Sequence, residues 1–74
     1  LLEARIDAGS PLAGRELRHI RFPPATLVVS IARDGETLFP RAATRLEAGD
    51  QVLLMTGRGG EATLRAFLAR PPSS

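Results

Sequence analysis

Few side chains in this 74-residue sequence could take part in bond-making chemistry. It contains one histidine, His19, and neither cysteine nor lysine. Ser10 and Ser30 could act as nucleophiles only beside a base, and His19 is the only imidazole available for that role. However, Ser10 is placed as a helix N-cap and Ser30 lies in the middle of an apolar strand. We therefore expect no catalytic residues and no enzyme activity.

Metal and phosphate sites are also poorly supported by the residues present. Without cysteine, a zinc ion would need carboxylates or waters around His19, so a solvated histidine is the simpler interpretation and no metal site is predicted. The segment Gly57-Arg58-Gly59-Gly60 could cradle a phosphate at the start of a helix. It lacks the P-loop lysine and the Rossmann spacing, and Glu61 in the first helical turn would repel an anion. We interpret this segment as a connector.

Arg33 is the residue for which a ligand-binding role competes seriously with a structural one. It ends an apolar strand, where a guanidinium could bind a nucleotide phosphate or a partner carboxylate through paired hydrogen bonds. The alternative is an internal salt bridge to Asp34, Glu36 or Asp50. The sequence leaves both possibilities open.

The charge pattern argues against nucleic acid as a partner. All ten cations are arginines, which gives a pI of about 11.0, but eight carboxylates leave a net charge of only +2. The arginines alternate with the carboxylates along the chain and form no basic run, so we expect no nucleic-acid binding.

No apolar stretch approaches the roughly 20 residues needed to cross a bilayer, so we expect no direct membrane insertion by this sequence.

The strongest local signal is a β-hairpin turn at Asp34-Gly35, between LVVSIAR and ETLF. Strict alternation would place one set of side chains of the first strand on one face, namely Leu27, Val29, Ile31 and Arg33. In QVLLMT the same rule groups Val52, Leu54 and Thr56 against Leu53 and Met55. Both strands are apolar on both faces, so both faces need cover.

Flanking elements follow from similar patterns. LLEARI predicts a strand with Leu2, Ala4 and Ile6 on its buried side. Ser10 followed by Pro11 predicts a helix from about Pro11 to Ile20, in which Gly14 would mark either a close backbone approach or the true helix start. Pro23-Pro24 ends that element.

Three further predictions concern the core. Phe22 is expected to cap it, and Leu46 is expected to anchor the irregular segment RAATRLEAGD to it. GEATLRAFLAR predicts a final helix, opened by Glu61 and closed by Arg70, with an i,i+4 pair from Glu61 to Arg65. The apolar face of that helix comprises Leu64, Phe67 and Leu68.

The resulting order, strand-helix-strand-strand-strand-helix, predicts an α+β fold with a small, mainly antiparallel sheet and its helices on one face. We expect a domain over residues 1–70 and a Pro/Ser tail at 71–74. A chain of 74 residues is near the lower limit of independent stability, and the other sheet face is free, so a second copy is the expected cover.

Motifs in this order and at these spacings resemble the TrkA C-terminal domain family, also called the RCK C-terminal domain. The resemblance extends from Leu2 to about Phe67. It rests on GSPLAGRELRHIRFPP, VVSIARDGETLFP and TRLEAGDQVLLMTG. The matching positions are Gly9, Ser10, Leu12, Gly14, Leu17, Pro23, Arg33, Gly35, Pro40, Leu46, Gly49 and Asp50.

The resemblance implies a cytoplasmic regulatory domain of a potassium transport protein at the inner or plasma membrane. A potassium/proton antiporter is the preferred parent, with the transporter domain in cis or in trans. Such domains form homodimers, and some members bind cyclic di-AMP at the dimer interface. Carried over by position, the ligand-binding residues would be Arg33, Ile31 and Pro40.

Two hypotheses follow from the resemblance. The first is a ligand-sensing dimeric module with a pocket near Arg33. The second is a purely structural dimerisation module of an ion permease with no small-molecule effector. Both require the dimer, and only the first requires a pocket.

Overall fold

Four strands and two short helical segments make up the part of the chain that the computed structural model describes, residues 1–69. In chain order they are β1 (Leu2–Arg5), a 3-10 turn (Leu17–His19), β2 (Thr26–Arg33), β3 (Glu36–Leu38), β4 (Gln51–Thr56) and α1 (Glu61–Leu68). The strands form one antiparallel sheet in the order β1-β4-β2-β3, which confirms the α+β class. The predicted helix end at Arg70, the domain boundary at residue 70 and the tail at 71–74 lie outside the described residues, so that division stays a prediction.

The β2–β3 hairpin turns where the sequence predicts. Asp34 and Gly35 adopt φ angles of 51° and 79°. Positive φ at both central residues is the geometry of a two-residue turn that matches the twist of antiparallel strands. Arg33 pairs directly with Glu36 across this turn. The hairpin prediction is confirmed.

A β-bulge in β2 overturns the predicted alternation of its side chains. The register against β4 shifts between Val28 and Ser30, which leaves Val29 as the extra residue. One inserted residue moves the side chains that precede it in the strand to the other face of the sheet. Leu27 therefore points away from the core, on the same face as its cross-strand partner Met55. The prediction that Leu27 shares a face with Ile31 is therefore wrong.

The core lies between one face of the sheet and the segments that cross it. Its fully enclosed side chains include Ile31 from β2, Leu54 from β4 and Leu64 from α1, each at 0% exposure. Leu46 is also buried, as predicted. The buried hydrophobic set is Leu2, Ile6, Leu12, Ile20, Ile31, Leu46, Val52, Leu54 and Leu64.

An aromatic contact and an ion pair within α1 were also predicted from the sequence or follow from its packing. Phe22 packs against the core with its ring centroid 5.5 Å from that of Phe67, at an interplanar angle of 51°. The predicted core role of Phe22 is confirmed. In α1, Arg65 Nη2 donates to Glu61 Oε1 at 2.8 Å, which confirms the predicted pair. No helix among residues 1–69 is long and apolar enough to cross a membrane.

The predicted helix from Pro11 to Ile20 is wrong, and the cause is long-range backbone pairing. Gly14 has φ 83°, which an α-helix cannot accommodate, and its N–H donates to Leu46 O at 2.7 Å. The N–H of Leu17 donates to Thr44 O at 2.8 Å. These donors are therefore used by segment 41–46, and only the 3-10 turn at Leu17–His19 remains helical.

Candidate functional site

Arg33, the residue singled out by the sequence, binds the carboxylate of Asp50. Its Nε donates to Asp50 Oδ1 at 2.8 Å and its Nη2 donates to Asp50 Oδ2 at 2.7 Å. Nη2 also donates to Arg45 O at 2.9 Å. A planar guanidinium matches a carboxylate in this two-pronged way, and lysine cannot reproduce it. Of the three carboxylates that the sequence offered as structural partners, the fold selects Asp50.

Asp50 is positioned by the tight turn that precedes β4. The carboxylate is 1% exposed and accepts a further hydrogen bond from Glu47 N at 2.9 Å. The backbone of Asp50 is held as well, because Ile6 N donates to Asp50 O at 2.9 Å. The hydrogen bond from Arg33 lowers the pKa of Asp50 below its usual value, and in return Asp50 raises the pKa of Arg33. The pair therefore stays charged at neutral pH.

Glu47 occupies the remaining edge of the Arg33 guanidinium. Its Oε2 lies 3.1 Å from Arg33 Nη1, and its side chain is 58% exposed, in contrast to that of Asp50. The linear sequence alone does not single out Glu47. The signal was present, since Leu-x-x-Gly-Asp turns tightly and places the residue after Leu46 beside Asp50. Thus one edge of the Arg33 guanidinium binds the buried carboxylate of Asp50, and the other edge binds the solvated carboxylate of Glu47, which another anion could replace.

The other two predicted ligand residues lie in the β2–β3 hairpin or just after it, in different environments. Ile31 is 0% exposed and pairs with Leu38 on β3, so its side chain belongs to the core. Pro40 follows β3 and is partly buried. Nothing observed places a ligand on any of the three residues, and their binding role stays a prediction.

The sheet face opposite the core carries an exposed apolar surface, which we call the outer face and define by Leu27, Leu53 and Met55. Leu27 and Met55 are cross-strand partners with exposures of 59% and 46%. Leu53 is half-buried and lies between Glu3 on β1 and Ser30 on β2. Within residues 1–69, no element covers this face. Paired large apolar side chains in solvent are typical of an interaction surface.

Other parts of the described chain show weaker features for a ligand, metal or catalytic site. A shallow groove of about 240 Å³ lies between β1 and α1, lined by Leu2, Glu3, Ala4, Arg65, Leu68 and Ala69. Residues 1–69 contain no group of three or more metal-ligating side chains. Ser10 Oγ accepts a hydrogen bond from Leu12 N at 3.1 Å, so it caps a turn in the place of the predicted helix. His19 lies exposed in the 3-10 turn.

Comparison with known proteins places this geometry in a family. No curated protein sequence matches the chain. A solved structure described as "Structure of RCK domain with cda" superposes with a TM-score of 0.75 at 22% sequence identity, covering 90% of this chain and 94% of that one. At this identity the likeness shows the fold. The family model of the TrkA-C domain matches residues 1–69. The chain therefore belongs to the TrkA-C domain family, whose members are regulatory domains associated with ion transport.

Proposed function

We propose that this chain is the ligand-sensing, dimerising regulatory domain of a potassium transport protein, with a potassium/proton antiporter as its parent. The observation that carries the proposal is the family match over residues 1–69, nearly the whole sequence. Its role is regulatory and non-catalytic. It works in the cytoplasm, where the transporter domain at the inner or plasma membrane contacts it in cis or in trans.

The homodimer that this role requires uses the outer face. Leu27 and Met55 are cross-strand partners on the two central strands, next to the end of the β2–β4 pairing, with about half of each side chain in water. Burying such side chains against a second copy stabilises the pair by about 25 cal/mol per Å² of apolar surface removed from water. A two-fold axis over β2 and β4 would bring the same residues of both chains together, as a symmetric dimer requires.

The effector that we propose is cyclic di-AMP, bound at the corner of the dimer formed by Arg33, with Ile31 and Pro40 as the other ligand residues that the family resemblance implies. The similar solved structure is of an RCK domain "with cda", which supports this class of ligand. Arg33 provides the chemistry, since a guanidinium held by Asp50 can present its Nη1 edge to a phosphate. Glu47 is the group that the phosphate would replace, because its carboxylate is solvated. Ile31 would contact the ligand only if the core opened around it.

The experiment is calorimetric titration of the dimeric protein with cyclic di-AMP. We expect saturation near one ligand per two chains and weaker binding for Arg33→Lys, which keeps a cation beside Asp50 but loses the paired geometry. Glu47→Gln is the complementary variant: it frees Nη1 and should tighten binding. Arg65→Lys, on α1 away from Arg33, is the matched control. Absence of heat from a folded dimer across temperatures would remove this ligand.

One observation favours the second candidate, a structural dimerisation module without an effector. Every edge of the Arg33 guanidinium already has an internal partner, namely Asp50, Arg45 O and Glu47. In this alternative, Arg33 fastens the turn before β4 to the end of β2, and only the outer face interacts with another molecule. A dimer that binds no cyclic di-AMP and is indifferent to Glu47→Gln would support it.

A further inference from the structure

The positive charge of the fold is concentrated in two segments that are far apart in sequence. Residues 14–21 and 41–46, together called the arginine ribbon, contain five arginines and one carboxylate, a formal net charge of +4. The rest of residues 1–69 contains four arginines and seven carboxylates, a net charge of −3. The small overall charge therefore hides a strong separation of charge. The arginines of the ribbon are Arg15, Arg18, Arg21, Arg41 and Arg45.

Backbone hydrogen bonds hold the two segments side by side. Arg18 N donates to Ala42 O at 3.0 Å, and Leu46 N donates to Arg15 O at 2.9 Å. Between these bonds, Glu16 and Arg45 form an isolated antiparallel bridge. This pairing is the same one that excludes the predicted helix. Arginines 20 to 30 residues apart in the chain therefore lie on neighbouring backbone segments.

The single carboxylate of the ribbon neutralises only part of this charge. Glu16 has a side chain that is 17% exposed, and its oxygens lie 2.7 Å from Arg18 Nη2 and 3.4 Å from Arg45 Nη2. Arg15, Arg21 and Arg41 are exposed, and their guanidinium groups make no ion pair or hydrogen bond with residues 1–69. Three guanidinium groups thus remain available to an external anion.

An exposed aromatic side chain borders the ribbon. Phe39 is 78% exposed, the highest value among the large apolar side chains of the described chain. It lies two residues before Arg41, so the two Cα atoms are at most about 7 Å apart. An apolar ring beside several arginines suits the boundary between headgroups and acyl chains, where rings enter the apolar layer and guanidinium groups bind phosphates.

We propose that the arginine ribbon, with Phe39, is a docking surface for an anionic lipid bilayer. Charge complementarity selects the partner: the ribbon carries +4 while the rest of residues 1–69 carries −3, so an anionic surface attracts the ribbon in preference to the other segments. A second copy is a poor occupant, because a two-fold contact through the ribbon would place like charges against each other. The contact is peripheral and uses none of the residues that define the outer face. It does not depend on an effector or on the parent transporter.

Vesicle sedimentation tests the proposal. The purified protein is mixed with vesicles of phosphatidylcholine alone or of phosphatidylcholine with phosphatidylglycerol. We expect binding to the anionic vesicles only, and a fall in binding as salt is raised, since the attraction is screened beyond a Debye length. Equal binding to both vesicle types, or none to either, would overturn the proposal.

Two triple variants with the same change in net charge separate the ribbon from general electrostatics. Arg15→Gln/Arg21→Gln/Arg41→Gln removes the three unpaired ribbon arginines, and we expect affinity for anionic vesicles to fall by about fivefold per arginine, about a hundredfold in total. Arg5→Gln/Arg58→Gln/Arg65→Gln lies outside the ribbon and should change affinity little. Equal losses in the two variants would show that net charge, and not this surface, directs binding.

Phe39→Ser provides a readout of a different kind. Loss of the ring should weaken vesicle binding by about tenfold, by a factor that does not vary with salt, because the contribution is apolar. A single-stranded oligonucleotide and polyglutamate are added as competitors for vesicle binding, because nucleic acid and acidic protein segments are the other anionic partners to be tested. A tighter complex with either competitor than with anionic vesicles at the same salt would overturn the lipid assignment.

Discussion

Arg33 and Asp50 form a two-pronged ion pair, with contacts of 2.8 and 2.7 Å, that fastens the end of β2 to the turn before β4. The two residues are 17 positions apart in sequence. The pair closes the corner where the sheet meets segment 41–50. A guanidinium that could bind a ligand is therefore also part of the framework of the domain.

We expect Asp50→Ala to lower the free energy of unfolding by about 3 kcal/mol, because it leaves the partly buried Arg33 cation and the Glu47 N–H without their shared acceptor. Urea denaturation followed by circular dichroism measures the change. Asp7→Ala is the control, since the Asp7 side chain is 80% exposed and makes only a 3.7 Å contact with Arg5. A similar small loss in both variants would contradict a stabilising role for the Asp50 pair.

The same pair predicts how stability depends on pH. Arg33 lowers the pKa of Asp50 in the folded protein below the unfolded value of about 3.9. The folded state therefore binds the proton less readily than the unfolded state, and the stabilisation from Asp50 is fully present above about pH 4 and is lost as pH falls through the folded pKa. Unfolding free energies measured down through this range should fall less steeply in Asp50→Asn than in the wild type. Parallel pH profiles would contradict the assignment.

Gly35→Ala should destabilise the domain by about 1 to 2 kcal/mol, because Gly35 adopts φ 79° in the hairpin turn and a Cβ is disfavoured there. Gly9→Ala is a matched control, since a Cβ meets nothing within 4 Å at either position and Gly9 has an ordinary φ. We expect Gly9→Ala to be neutral or slightly stabilising. Thermal melts of the two variants give the comparison, and equal melting temperatures would contradict the account of the turn.

Local signals in the sequence predicted much of this fold. Asp34-Gly35 specifies its own turn through the φ angles that both residues tolerate, and Leu64 in α1 is buried on the predicted helical face. The failures have non-local causes. The bulge at Val29 is a property of the pairing between β2 and β4, and it reverses the facing of Leu27 without any change in the apolar pattern.

The candidate surfaces were harder to predict for the same reason. Residues 11–20 have helical spacing, but the N–H groups of Gly14 and Leu17 donate to the carbonyl groups of residues 46 and 44. That pairing also assembles the arginine ribbon, whereas the linear sequence shows only arginines alternating with carboxylates. The sequence points to Arg33 because a guanidinium ends an apolar strand there. The choice of Asp50 over Asp34 and Glu36 required the three-dimensional turn before β4.

Analytical ultracentrifugation of Met55→Glu tests the proposed regulatory dimer most directly. The wild type should show a concentration-dependent dimer, and Met55→Glu should sediment as a folded monomer, because a carboxylate at this exposed outer-face position cannot be buried against a second copy without a large desolvation cost. Ala62→Glu places the same charge on the exposed surface of α1 and should leave the dimer intact. A monomeric wild type at every concentration, or a Met55→Glu protein that dimerises as well as the wild type, would contradict dimerisation through the outer face.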